Sequence, residues 1–108
     1  VRVRWLPAAV GNVVEIREYI KADNPTAADR VVGRIAAAAK RLSRYPNSGR
    51  AGPRDTREAP VARTAYVIVY RVEGQWVEIL RVFHGAQVRF QNRTDAETAP
   101  DNLTDPPA

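Results

Sequence analysis

The opening VRVRWL alternates Val1, Val3 and Trp5 with Arg2 and Arg4, the period of two expected of a strand with one wet face. Pro7 ends that strand and suits the first turn of a helix. Beyond it Ala9, Val13, Ile16 and Ile20 recur at helical spacing, with Glu15, Arg17, Glu18 and Lys21 mainly on the other side, which predicts a first amphipathic helix. Asp23-Asn24-Pro25 breaks it. Asn24 is placed to cap a second helix and Pro25 to begin it, with Ala28, Val31 or Val32, Ile35, Ala38 or Ala39, and Leu42 as its apolar stripe to about Ser43. The alanine run in RIAAAAKRL predicts close approach of a neighbour, so the two helices should form an antiparallel hairpin.

YPNSGRAGPRD then reads as a turn-rich loop. Three strands are predicted after it. TREAPV is short, and Pro60 moves it toward a sheet edge or a bulge. AYVIVYRV is apolar on both faces, and WVEILRVF pairs with it through Glu73-Gly74 or Gly74-Gln75. On the first of these long strands Tyr66, Ile68, Tyr70 and Val72 share a face. On the second, regular alternation puts Val77, Ile79, Arg81 and Phe83 on one face and Trp76, Glu78, Leu80, Val82 and His84 on the other. Arg81 thereby falls on a largely apolar face, where a guanidinium needs an acidic partner such as Glu58 or Glu78, a phosphate, or a route to solvent. Tyr66 and Tyr70 are assigned to the core, and Tyr19 and Tyr45 to helix packing. The order β-α-α-β-β-β defines an α+β fold: an N-terminal strand, an antiparallel two-helix hairpin and a three-stranded antiparallel sheet.

Length and composition narrow the function classes. A chain of 108 residues with 44% hydrophobic content is sized for one domain. No run approaches the roughly 18 apolar residues of a membrane span, and VRVRWLPAAV lacks the features of a signal peptide, so the chain is read as cytoplasmic and without a membrane partner. With no cysteine and one histidine, neither a metal site nor a thiol nucleophile is expected, and no cofactor.

The formal charge of +5 is unevenly spread. Residues 89–108 hold two basic and four acidic groups, which leaves 15 basic against 8 acidic in the first 88. Such a basic body suits nucleic acid, an acidic protein segment, or a protein that itself handles nucleic acid. The segment RTDAETAPDNLTDPPA has too few large apolar residues to offset the entropy of ordering, so residues 89–108 are expected to be a mobile tail beyond a domain of residues 1–88.

EIREYIKADNPTAADRVVGRI, SGRAGPRDTREAPV, AYVIVYRV and VEILRVFHGAQ, in this order and spacing, resemble the RelE/ParE superfamily of type II toxin-antitoxin toxins, and specifically its ParE-like branch. The resemblance runs from residue 1 to about 88. It implies a two-helix hairpin followed by a three-stranded antiparallel sheet with the N-terminal strand added, and silencing by a small antitoxin encoded alongside. For the ParE-like branch it implies inhibition of DNA gyrase by binding, with no catalytic set.

The nuclease branch, whose members cut mRNA in the ribosome without a metal, implies basic side chains on the sheet and a proton-transfer residue near the C-terminus. Where that branch carries alternating lysines this chain has Glu58 and Pro60, and where it carries an arginine this chain has Val67. After Gly85 come Ala86 and Gln87 in place of basic or His-Tyr pairs, and His84 precedes that glycine. Such residues cannot stabilise a dianionic phosphorane. The weak catalytic candidates left are Arg57, Arg81 and His84.

For a binding toxin, Arg63, Arg81 and His84 are the residues expected to meet the target. An acidic antitoxin helix and tail are expected to fill an apolar groove between hairpin and sheet and to meet Arg50, Arg54 and Arg57, giving a toxin-antitoxin hetero-oligomer. A ribosome-dependent endoribonuclease, a plain basic nucleic-acid-binding module and a decayed toxin kept for its antitoxin contacts stay open at this point.

Overall fold

The computed structural model describes residues 1–86. Strand β1 (Arg2–Trp5) is followed by helices α1 (Pro7–Lys21) and α2 (Pro25–Leu42), then by strands β2 (Arg50–Ala51), β3 (Arg57–Pro60), β4 (Tyr66–Glu73) and β5 (Trp76–His84). The strands form one five-stranded sheet in the order β1-β5-β4-β3-β2. β1 runs parallel to β5, and every other pairing is antiparallel. The predicted elements are present, with one addition: the expected loop contains β2, two residues that pair with Glu58 and Arg57. Two residues with no apolar alternation carry no strand signal of their own. The tail expected over 89–108 and the residue Gln87 lie outside the described residues.

Local chemistry accounts for the helix ends. Pro7 and Pro25 open the helices, where the missing N–H would have had no intrahelical partner. Asn24 Oδ1 accepts the Ala27 N–H at 3.0 Å, capping α2. Lys40 and Arg41 lie in the last turn of α2, where cations suit the helix dipole. Only Ala22, Asp23 and Asn24 separate α1 from α2, so the chain folds back as a hairpin, and Arg17 and Asp29 form an ion pair across it at 3.0 Å.

Both helices lie on one face of the sheet. Ala9 and Ile16 of α1 and Ile35, Ala39 and Leu42 of α2 pack against Ala59, Val61, Ile68, Tyr70, Val77, Ile79 and Val82. The helix stripes and the even-numbered residues of β4 thus meet as their spacing predicts. The tyrosine assignments divide. Tyr70 is fully buried and Tyr66 packs on the core, but Tyr19 and Tyr45 are 78% and 51% exposed and do not serve as helix-packing residues. Tyr19, three residues beyond buried Ile16, is left exposed toward the end of α1, and Tyr45 lies past the end of α2.

β5 departs from regular alternation. Val69 stands opposite Arg81 and Tyr70 opposite Ile79, so Leu80 is an extra residue, a β-bulge. Beyond it the faces exchange: Val82 joins Val77 and Ile79 in the core, and Arg81 points away from the helices and is exposed. The expectation that Arg81 shares a face with Ile79 is corrected by that inserted residue. β1 stops at Trp5, opposite Ile79, and among the described residues no strand flanks β5 on that side further along. There Asn12 Oδ1 of α1 accepts the Val82 N–H at 2.9 Å. The tight turn between β4 and β5 is Gly74-Gln75, with Gly74 at φ +60°, a conformation glycine adopts without strain.

Tyr70 also organises the loop that precedes the sheet. Its hydroxyl accepts the Gly49 N–H at 2.9 Å and donates to the Pro46 carbonyl at 2.8 Å. A Cβ on Gly49 would come within 2.6 Å of that oxygen, so only glycine fits. Tyr70→Phe keeps the ring but leaves the buried Gly49 N–H without its partner. It should lower unfolding stability by about 1–3 kcal/mol in urea denaturation, with the slope unchanged.

Candidate functional site

The face of the sheet away from the helices carries three ordered rows. Arg2 stands beside Trp76, Arg4 beside Glu78 and then Arg71, and Arg50 beside Glu58, then Val69 and Arg81. The first two rows are tied together. The Arg4 guanidinium lies 4.3 Å from the Trp76 ring centroid and pairs with Glu78 at 2.8 Å; Arg2 lies 5.6 Å from the same ring. Arg71 pairs with Glu78 at 3.0 Å and with Glu73 at 3.7 Å. The hydrogen bond from Arg71, more than that from Arg4, holds the Glu78 carboxyl below its ordinary value, against a smaller opposing effect of desolvation.

The third row is looser. Arg50 pairs with buried Glu58 at 3.2 Å, while among the described residues Arg81 reaches only the Leu80 carbonyl, at 3.2 Å. The ion pair of Arg81 with Glu58 or Glu78, open on sequence grounds, is not formed: Glu78 is engaged by two other arginines, and the bulge sends the Arg81 guanidinium to solvent.

The three residues considered for catalysis are dispersed. Arg57 sits opposite Tyr70 and spends its guanidinium on the carbonyls of Gly49, at 2.8 Å, and Asn47, at 3.4 Å. His84 sits opposite Tyr66, four residues along β4 from Tyr70 and two strands from Arg57, hence about 13 Å along the strands and about 10 Å across them. The His84 ring meets the Tyr66 ring edge-on at 5.6 Å, and its Nδ1 accepts the Ala86 N–H at 3.3 Å. Arg81 is on the opposite face from both. Burial, and secondarily the neighbouring Tyr19, push the Tyr66 phenol above its ordinary value of 10.0, so it stays protonated and offers no base beside His84.

Arg50, Arg54 and Arg57, considered for antitoxin contact, are gathered on the β2–β3 hairpin. They are not equivalent: Arg50 pairs with Glu58, Arg57 braces the preceding loop, and Arg54 is exposed at the turn with φ 56°. None of them lines the groove beside α2. That groove encloses about 950 Å3 between α2 and the β3–β4 connection and is walled by Arg34, Lys40, Arg41, Arg44 and Arg63. Of these only Arg63 was singled out from sequence. The signal for the rest was the recurrence of basic residues at 34 and 41 on one side of α2 and at 44 just past its end, which the apolar stripe obscured.

The profile of the family described as ParE toxin of type II toxin-antitoxin system, parDE, matches residues 3–89. Y4kP of Sinorhizobium fredii is 46% identical over 87 residues, covering 80% of this chain and 90% of its own. Toxin RelE2 of Caulobacter vibrioides is 37% identical over 87 residues, covering 81% of this chain and 98% of its own. A solved structure titled "Chromosomal ParDE TA system from P. aeruginosa" superposes with a TM-score of 0.69 at 23% identity, over 77% of this chain and 94% of that one, and shares the fold.

The lowered Glu78 carboxyl links the open face to pH. A carboxyl whose folded pKa lies below its unfolded value of about 4.5 adds stability that is present above that value and lost as pH falls through the folded one. Glu78→Gln should therefore lower the melting temperature near pH 7, with the gap to wild type closing as pH falls below about 4.5. A gap constant from pH 7 to pH 3 would show that the Arg4–Glu78–Arg71 bridge adds nothing to stability.

Proposed function

Because the chain belongs to the ParE toxin family of type II toxin-antitoxin systems, we propose that this toxin acts on DNA gyrase by binding it, without chemistry of its own, and is silenced by an acidic antitoxin. The dispersal of Arg57, Arg81 and His84 carries the non-catalytic half of this reading. Metal-independent RNA cleavage by 2′-OH attack needs a base, an acid and phosphate-stabilising cations within hydrogen-bond reach of one phosphate. Here one cation is committed to a loop, one faces away, and the imidazole is set against a neutral phenol. Gyrase as the target follows from the ParE-like branch that the sequence resembles.

The antitoxin's contact would include the β2–β3 hairpin, where Arg54 is the accessible cation and Arg50 its neighbour. The exposed Arg81 and the end of β5 at His84 are the places for contact with the target.

The reading is tested with purified toxin in two assays side by side. Gyrase-mediated cleavage of supercoiled plasmid should increase with toxin, and mRNA on translating ribosomes should stay intact; the reverse result would establish the nuclease. In cells, His84→Gln expressed at wild-type level should still arrest growth, since the amide keeps a donor and an acceptor at similar reach. A general acid or base lost at this position would instead diminish activity a hundredfold or more. Arg81→Ala should reduce arrest while moving the melting temperature by no more than about 3 °C, because the side chain is exposed and makes no ion pair among the described residues.

A further inference from the structure

The groove beside α2 differs in kind from the open face of the sheet. There, arginines alternate with carboxylates. Here, Arg34, Lys40, Arg41, Arg44 and Arg63 converge with no carboxylate in the lining, and none of the five forms an ion pair among the described residues. Arg34 and Arg41, seven residues apart, share one side of α2, and Arg44 follows in the turn just past its end and lines the same groove, so the three span about 15 Å. Over that length a DNA duplex carries about nine phosphates, both strands counted.

The floor of the groove argues against a peptide. Its apolar lining is limited to Ala37, Ala38, Pro60 and Ala62, small side chains that give little contact area to the large apolar anchors on which helix-in-groove and peptide contacts depend. Single-stranded nucleic acid is also a poor fit, because it is held by successive bases stacked on several rings. The one ring here, Tyr45, already has the Arg41 guanidinium over its face at 5.3 Å.

The backbone at Arg63 is a separate observation. This residue sits at φ 63°, a left-handed conformation that favours glycine or asparagine, on the wall opposite α2. It is braced there by Arg34, whose guanidinium donates to the Arg63 carbonyl at 3.5 Å. An arginine at a position where glycine would be relaxed adds a cation to the groove and nothing to the core.

We propose that this groove is a sequence-independent binding site for the sugar-phosphate backbone of duplex DNA, used by the toxin itself. The site stands whatever enzyme the toxin inhibits, since it needs only phosphates at the spacing of a duplex. Planar guanidinium groups suit phosphate oxygens, and 15 of the chain's 17 basic residues are arginine.

The full chain would be titrated against a labelled duplex, by fluorescence anisotropy, between about 50 and 200 mM salt. Affinity should fall steeply with salt, and each phosphate contact removed should reduce the slope of log K against log salt by about 0.9. Lys40→Gln, Arg41→Gln and Arg44→Gln together, all at exposed positions, should reduce the slope by about 2–3 and the affinity at least tenfold at the lowest salt. A charge-matched variant away from the groove, Arg2→Gln with Arg17→Gln and Lys21→Gln, should stay within about threefold of wild type. Arg63→Gly should weaken binding while leaving the melting temperature unchanged or raised, which separates lost contact from lost fold even if the triple variant is unstable.

Absence of duplex binding at the lowest salt overturns the proposal. So does equal weakening by the two triple variants, which would mean only net charge matters. Tighter binding of a polyglutamate peptide would assign the groove to an acidic polypeptide, and tighter binding of the single-stranded oligonucleotide would exclude the duplex.

Discussion

The extra residue in β5 decides which side of the sheet does what. With Leu80 inserted opposite the Val69–Tyr70 step, Ile79 and Val82 both reach the core although three residues apart. Without it, Arg81 and Phe83 would turn toward α1 and α2, and burying the Arg81 guanidinium among Ile16, Ile35 and Ile68 would leave a charge with no partner. The bulge is held from both sides. Fully buried Tyr70 fixes β4 at the shift, and Asn12 takes the Val82 N–H where β1 no longer runs alongside. α1 therefore contributes a polar contact as well as an apolar stripe, and the hairpin cannot slide along β5 without breaking it.

This explains which parts of the molecule could be read from sequence. The helix limits were legible because they rest on local chemistry: Pro7, Asn24 and Pro25 act on their own backbone, and the stripes at Ala9–Ile16 and Ala28–Leu42 have one period throughout. β4 was legible for the same reason. The bulge was not, because WVEILRVF fits a regular strand equally well, and only the pairing with β4 shows where the register breaks. β2 is similar: Arg50 and Ala51 are a strand through pairing with Arg57 and Glu58 and have no propensity pattern of their own. Pro60 was read as moving its strand toward an edge or a bulge; β3 is an inner strand of the sheet, and only its end is uncovered. β2 covers β3 only as far as Glu58, so at Pro60 the missing N–H lies on the side where no further strand pairs.

The candidate site was less legible than the fold, again for a physical reason. Sequence shows which side chains are cationic but not what each already holds. Arg57 looked like Arg54, yet one donates to two backbone carbonyls and the other is exposed on a turn. Arg4 and Arg71 drew no attention, and they form the best-connected charge cluster on the sheet, around Glu78. The stripe that buries α2 told where its apolar side lies, whereas the neighbouring side, facing the β3–β4 connection, is defined by residues some 20 positions later in the chain.

The net positive charge of the folded body is consequently not a uniform coat. On the sheet's open face it is largely cancelled at short range, through Glu78, Glu73 and Glu58, so the field there is local and directional. Paired surface charges of this kind add little to stability each, but they hold the arginines' planes in place beside the Trp76 ring. Beside α2 the cations have no such partners among the described residues, and mutual repulsion among five of them is tolerated because they lie at the surface, in high dielectric, on side chains long enough to spread. A polyanion entering that groove would relieve repulsion as well as gain attraction. A small toxin can in this way present two chemically distinct faces, one ordered by internal ion pairs, the other lined by cations that form no ion pair among the described residues.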